Sequence, residues 1–273
     1  NSVPTANAGT TTTLTCAAPT ATLSGSGGGS YAWPGPSITG GGTTANPTVN
    51  AAGTYSLAVT TPQGCTSAVS TVAISQNTTA PVPTASNSTT LTCAVSTVAL
   101  TGGPASGVTY QWSGPGFSGG TTSQNAVATA AGTYTLKVTD AVNGCTATAV
   151  TTVAQNTTAP SPTASNSTTL TCSNLTAALT GGPAAGVTYQ WSGPGFSGGT
   201  TSQNATATAP GTYTLVVTST ANSCTAAATA AVTQNTTAPS PTANNSTTLT
   251  CSNLTAALTG APGAGVTYQW QSS

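Results

Sequence analysis

The chain has 273 residues, of which one is basic (Lys137), one is acidic (Asp140) and none is His. At 1% charged residues, against roughly 25% in an ordinary domain, it lacks the cations that displace phosphate counterions on nucleic acid, the carboxylates of a calcium site and the His or clustered Cys of a zinc site. One carboxylate and no His also leave no tunable acid–base group and no nucleophile–base pair, so the chain is read as a non-enzyme without a cofactor.

Self-similarity is the strongest signal. The tryptophans Trp33, Trp112, Trp191 and Trp270 each follow the previous one by 79 residues. The phrase Leu-Thr-Cys recurs with Cys16, Cys93, Cys172 and Cys251, a later cysteine recurs at Cys65, Cys145 and Cys224, and Gly-Thr-Tyr recurs with Tyr55, Tyr134 and Tyr213. Gln-Asn-Thr-Thr-Ala-Pro, at 76–81, 155–160 and 234–239, reads as a short linker. The expected modules are 1–80, 81–159 and 160–238, followed by an incomplete fourth at 239–273 that holds only first strands. Half a module cannot bury its own core, so the rest is expected either from a longer array or from a neighbouring chain.

The second module illustrates the strand pattern in chain order. Val98 and Leu100 share one face of the first clear strand, and Val108, Tyr110 and Trp112 alternate with Thr109 and Gln111 in the next. Tyr134, Leu136 and Val138 then alternate with Thr135, Lys137 and Thr139. Period-two alternation with Thr outward marks half-buried antiparallel strands. Asn143-Gly144 between two such runs is a hairpin-turn signal. No stretch has a helical period. About seven strands per repeat, with Trp on the third and Tyr opening the sixth, predict an all-β chain of tandem immunoglobulin-like antiparallel β-sandwich modules. Trp33, Trp112, Trp191 and Trp270 are then core residues, and Tyr55, Tyr134 and Tyr213 are candidates for a tyrosine corner, in which the hydroxyl bonds backbone at a strand junction. Phe117 and Phe196, in Gly-Pro-Gly-Phe loops, are candidate exposed contacts, with simple packing of the loop as the other reading.

The cysteines form a regular framework, which implies an oxidising compartment. Pairing within modules would give Cys16–Cys65, Cys93–Cys145 and Cys172–Cys224. In an immunoglobulin-like sandwich, however, the corner after the first strand and the turn before the last lie at opposite ends, roughly 17–20 Å apart. A disulfide tolerates at most about 7 Å between Cα atoms. In a head-to-tail array the first corner of one module faces the late turn of the next, so Cys16–Cys145 and Cys93–Cys224 are the inter-module alternative. Cys172 would then await the rest of the fourth module. Asn-X-Ser/Thr sequons at Asn77, Asn87, Asn156, Asn166, Asn174, Asn204, Asn235, Asn245 and Asn253 are candidate glycosylation sites.

The phrases "LTC", "WSGPGF", "GTYTL" and "NGCT" resemble the immunoglobulin-like, PKD-like tandem repeats of bacterial surface adhesins of the Bacteroidota type. The resemblance covers all three modules and the partial fourth, and implies a giant cell-surface array. The chain departs from that pattern in having a single acidic residue, so calcium-stiffened linkers are not expected. No apolar run is long enough to span a bilayer. With no leader-like segment and no Met, the sequence is expected to begin after processing or within a longer chain. The expected role is an extracellular filament, stalk or surface layer that self-associates through neutral surfaces. The alternative is an adhesin with weak, repeated carbohydrate-binding sites, with surface glycans as partners; ice binding by Thr-rich strands ranks third.

Overall fold

A computed structural model describes residues 2–272, and among these there is no helix. The chain divides into two compact units, one up to Thr157 and one from Thr158 onward. Among the described residues, the first unit holds two hydrophobic cores and the second holds one.

The 81–159 region shows the architecture most clearly. One sheet runs in the order Phe117–Gly119, Asn125–Ala128, Val98–Gly103, Thr84–Asn87, and the other in the order Val108–Ser113, Gly132–Asp140, Thr146–Val153. Val98, Leu100, Ala126 and Ala128 from the first sheet meet Trp112, Leu136, Val138 and Val153 from the second. This is a two-layer antiparallel sandwich with the connectivity of an immunoglobulin-like domain. Alternation follows from the pleat: in Gly132–Asp140, Tyr134, Leu136 and Val138 are fully buried while Lys137 between them is exposed. The region around Leu179, Trp191 and Leu215 repeats this arrangement in the second unit. The region around Trp33 and Leu57 does so in the first. The chain is therefore all-β and built of tandem immunoglobulin-like modules.

Each module's opening segment changes sheets. Thr84–Asn87 pairs antiparallel with Val98–Gly103, and then Leu91–Thr92 crosses over to pair parallel with Gln155–Asn156. The same parallel pairing joins Thr12–Thr15 to Ile74–Asn77 and Leu170–Thr171 to Gln234–Asn235. The first residues of the repeated Gln-Asn-Thr-Thr-Ala-Pro phrase are thus strand ends, which corrects their reading as linker.

Among the described residues from 239 onward, the strands form one two-stranded sheet, Thr242–Asn245 with Leu258–Ala261. Trp270 is 51% exposed there, whereas Trp33, Trp112 and Trp191 are buried. Among the described residues no second sheet covers the face of Trp270, and Leu258 is 59% exposed while Leu179, one repeat earlier, is completely buried.

Candidate functional site: the joint between modules

The residues expected to be scaffold have that role in the three sandwiches. The hydroxyl of Tyr134 lies 2.7 Å from the carbonyl of Ala130 and 2.8 Å from that of Gly116. Tyr213 sits 2.8 Å from both Ala209 and Gly195, and Tyr55 sits 2.9 Å from both Ala51 and Ser37. Each ring is fully buried, and the hydroxyl sits between two backbone carbonyls, of which those of Gly116 and Gly195 also accept from the N–H groups of Thr129 and Thr208. Gly114 permits this packing, since a Cβ there would stand 2.3 Å from the Tyr134 ring. The indole N–H of Trp33 donates to Thr44, that of Trp112 to Gln124 and that of Trp191 to Gln203.

Of the two readings of Phe117 and Phe196, the geometry is that of loop packing. Each is half-buried and packs edge-on against the corner tyrosine, with ring centroids 5.1 Å apart and planes at 83°. The equivalent position in the first module is Ile38, which packs on that module's core. An aliphatic residue can replace a packing ring but not one that stacks on a sugar.

The chemistry that sets this chain apart lies where one module's first corner meets the next module's late turn, inside the first unit. Cys16 and Cys145 form a disulfide with Cα atoms 4.9 Å apart, spanning 129 residues of sequence. The corner places Cys16 because Thr15 pairs in parallel register with Asn77 and then turns, with Thr15 N–H donating to Ala18 and Thr15 Oγ1 accepting from Ala18 N–H. On the other side, the Asp140 carboxylate accepts from the N–H groups of Val142 and Asn143 and shapes the turn. Asn143 is 2% exposed. Its Nδ2 donates to Asn77 Oδ1 at 3.0 Å and to the Thr79 carbonyl at 2.9 Å, while its Oδ1 accepts from Cys145 N–H at 2.8 Å. The Asn143 carbonyl accepts from Ala17 N–H at 3.1 Å. Gly144 closes the joint: its φ is +69°, and a Cβ there would stand 2.6 Å from Ala17 Cβ. Disulfide, amide clasp and backbone bond thus converge on one small contact.

This connectivity excludes the pairing within modules. Cys16 bonds Cys145, so neither Cys16–Cys65 nor Cys93–Cys145 forms, and Cys65 is free. Cys172 is also free while Cys224 is disulfide-bonded, so Cys172–Cys224 does not form. The physical reason is the strand-length separation of the two ends of a sandwich. Cys93 is likewise disulfide-bonded. In the second unit, Asn222 repeats the clasp geometry, donating to the Thr158 carbonyl at 2.9 Å and accepting from Cys224 N–H at 3.0 Å.

Sequence reasoning took Asn143 as a turn signal only and missed its part in the joint, together with that of Thr79. Asn77 is a sequon residue, yet its amide is half-buried and engaged by Asn143. The usable signal was the recurrence of both Asn143/Asn222 and Asn77/Asn156 at the repeat spacing. Of the other sequons, Asn156, Asn204, Asn235 and Asn245 are exposed, while Asn87, Asn166, Asn174 and Asn253 are half-buried. Lys137 points outward from its strand, and the Asp140 carboxylate caps the Asn143 turn. Among the described residues no cluster of three or more His, Cys, Asp or Glu could hold a metal ion, and no helix is long and apolar enough to cross a membrane.

No protein-family model matches the chain, and no curated protein matches it either. Among solved structures it is similar to Sidekick-1 immunoglobulin domains 1–5, at 14% identity over 85% of this chain with a TM-score of 0.30. The chain spans 59% of that structure. It is also similar to the I9–I11 tandem from titin, at 13% identity over 86% of this chain and 98% of that one, with a TM-score of 0.32. A third likeness is to Drosophila OTK extracellular domains 3–5, at 11% identity over 85% of this chain and 96% of that one, with a TM-score of 0.27.

Proposed function

We propose that the chain is a segment of an extracellular structural array of the bacterial cell-surface type, a stalk or filament whose modules are locked in order by covalent joints. The observation that carries this reading is the Cys16–Cys145 disulfide, backed by the Asn143 clasp. A joint built only to connect domains needs no such reinforcement, because flexible linkers are the ordinary solution. Oxidised cysteines support a compartment outside the reducing cytosol.

Self-association is supported by the outward sheet faces. In the second unit, Thr188, Thr218 and Thr225 form one row across three strands, and Gln190, Val216 and Ala227 form the next, with no charge among them. Such faces carry no long-range repulsion to keep copies apart. The carbohydrate-binding alternative has less support, because Phe117 and Phe196 are half-buried and pack edge-on against the corner tyrosines.

Electron microscopy of the native material tests the reading. Filaments or a layer with an axial repeat matching one module, or a small multiple of it, are expected. Dispersed particles without such a period would overturn it.

A further inference from the structure

We propose that Cys172, Asn235 and Thr237 form an acceptor for the Asn-Gly-Cys or Asn-Ser-Cys turn of a further module, closed by a disulfide to Cys172. The proposal rests on the reading of the chain as a stapled array, but its test follows one joint and the imaging above follows the assembly, so either can fail alone.

A free cysteine alone would carry nothing. The pointer to an occupant is that the equivalent residues are filled in the first unit, where Cys16 holds Cys145 while Asn77 and Thr79 hold Asn143. The acceptor side of that joint is built by the parallel register of Thr15 with Asn77 and by the corner bonds between Thr15 and Ala18.

Around Cys172 the same parts are in place. Thr171 pairs in parallel with Asn235, its N–H donates to Asn174 at 2.8 Å, and its Oγ1 accepts from Asn174 N–H at 3.0 Å. Cys172 is exposed and free, with Sγ 3.8 Å from the Thr236 carbonyl. Asn235 is exposed, and its Oδ1 accepts from Thr237 N–H at 3.3 Å. The strand register and the corner therefore stand ready before any turn arrives, and an incoming Asn has an amide oxygen and a carbonyl to bond.

Cys251 provides the contrast. Its corner has the same bonds, between Thr250 and Asn253. Among the described residues, however, no parallel strand pairs beside it to supply an Asn. Within the described residues it is therefore an exposed thiol with no such amide beside it, and it serves as the reference thiol.

Closing the joint takes two thiols, which together lose two electrons and two protons to a disulfide oxidant such as glutathione disulfide, itself reduced to two thiols. The test grafts a copy of residues 192–238 after Trp270, supplying the strands and the Asn-Ser-Cys turn that follow Trp191. The extended chain is folded with glutathione disulfide and its disulfides are mapped without reduction. A link from Cys172 to the grafted copy of Cys224 is expected, and Asn222→Ala within the graft should lower its yield roughly tenfold, about the worth of one or two hydrogen bonds. If Trp270 fluorescence shows that its environment has closed while Cys172 stays free, or while the grafted Cys joins Cys251, the proposal is overturned.

Should Trp270 stay exposed, a peptide decides. A peptide of residues 140–146, with its Cys held as a mixed disulfide with thionitrobenzoate, is offered to the unextended chain. The protein thiolate attacks the peptide sulfur and thionitrobenzoate leaves. With rates normalised to cysteine–thionitrobenzoate, Cys172 should react roughly tenfold faster than Cys251, and Asn143→Ala in the peptide should abolish the preference. Equal normalised rates would overturn the proposal.

Discussion

The side-chain amide of Asn143 lies 3.0 Å from Oδ1 of Asn77, 66 residues earlier in sequence, and the same nitrogen lies 2.9 Å from the Thr79 carbonyl. A single residue thus ties the late turn of one module to the last strand of the module before it. Its other amide atom accepts from Cys145 N–H and so orients the cysteine for its bond to Cys16. Asn143→Ala removes the clasp but leaves the disulfide. The protection of the Cys145 amide against hydrogen exchange should fall by about 1–3 kcal/mol, the cost of leaving a buried donor without its partner. Amides facing the Tyr55 and Tyr134 cores should keep their protection.

Removal of the covalent bond itself should cost more. The Cys16–Cys145 link closes 129 residues, for which loop-closure entropy in the unfolded chain predicts a loss of about 5 kcal/mol; measured values usually fall between about 2 and 5. The paired variant Cys16→Ser, Cys145→Ser should show a lower guanidinium midpoint than the parent under oxidising conditions. An unchanged midpoint would mean that the clasp alone sustains the joint.

The corner tyrosines allow a matched pair of substitutions. Tyr134→Phe and Tyr213→Phe each delete one hydroxyl placed between two backbone carbonyls and leave the ring in place. Each should destabilise its own module by about 1–3 kcal/mol, and the two effects should add, since the residues lie in separate cores. Chemical denaturation of the single and double variants checks both points.

Phe117 separates packing from recognition. Because Ile38 fills the equivalent place in the first module, Phe117→Ile should cost less than about 1.5 kcal/mol, whereas Phe117→Ala opens a gap beside Tyr134 and should cost more. Neither substitution should alter retention on a glycan array. Loss of glycan binding in the Ile variant would restore the carbohydrate-binding alternative.

With one basic and one acidic residue, the fold has almost no ionic contribution for salt to screen. The thermal midpoint of the oxidised chain should shift little between about 0.05 and 0.5 M sodium chloride. A large shift in either direction would contradict stabilisation by apolar burial and disulfides.

Sequence alone determined the repeat, the all-β class, the inward faces of the strands and the corner role of the tyrosines. These properties are local or periodic: a pleat alternates every second residue, and Val98, Leu100, Leu136 and Val138 show that alternation directly. Only the tertiary structure decided between the cysteine pairings, buried Asn143 and turned Phe117 onto Tyr134. Those outcomes depend on which ends of two sandwiches meet, and residues 129 apart in the chain come together only after both modules have packed. A side chain's partners across such a joint leave no local period to read, so Asn-Gly announced a turn while its role as a fastener stayed hidden until the modules were placed side by side.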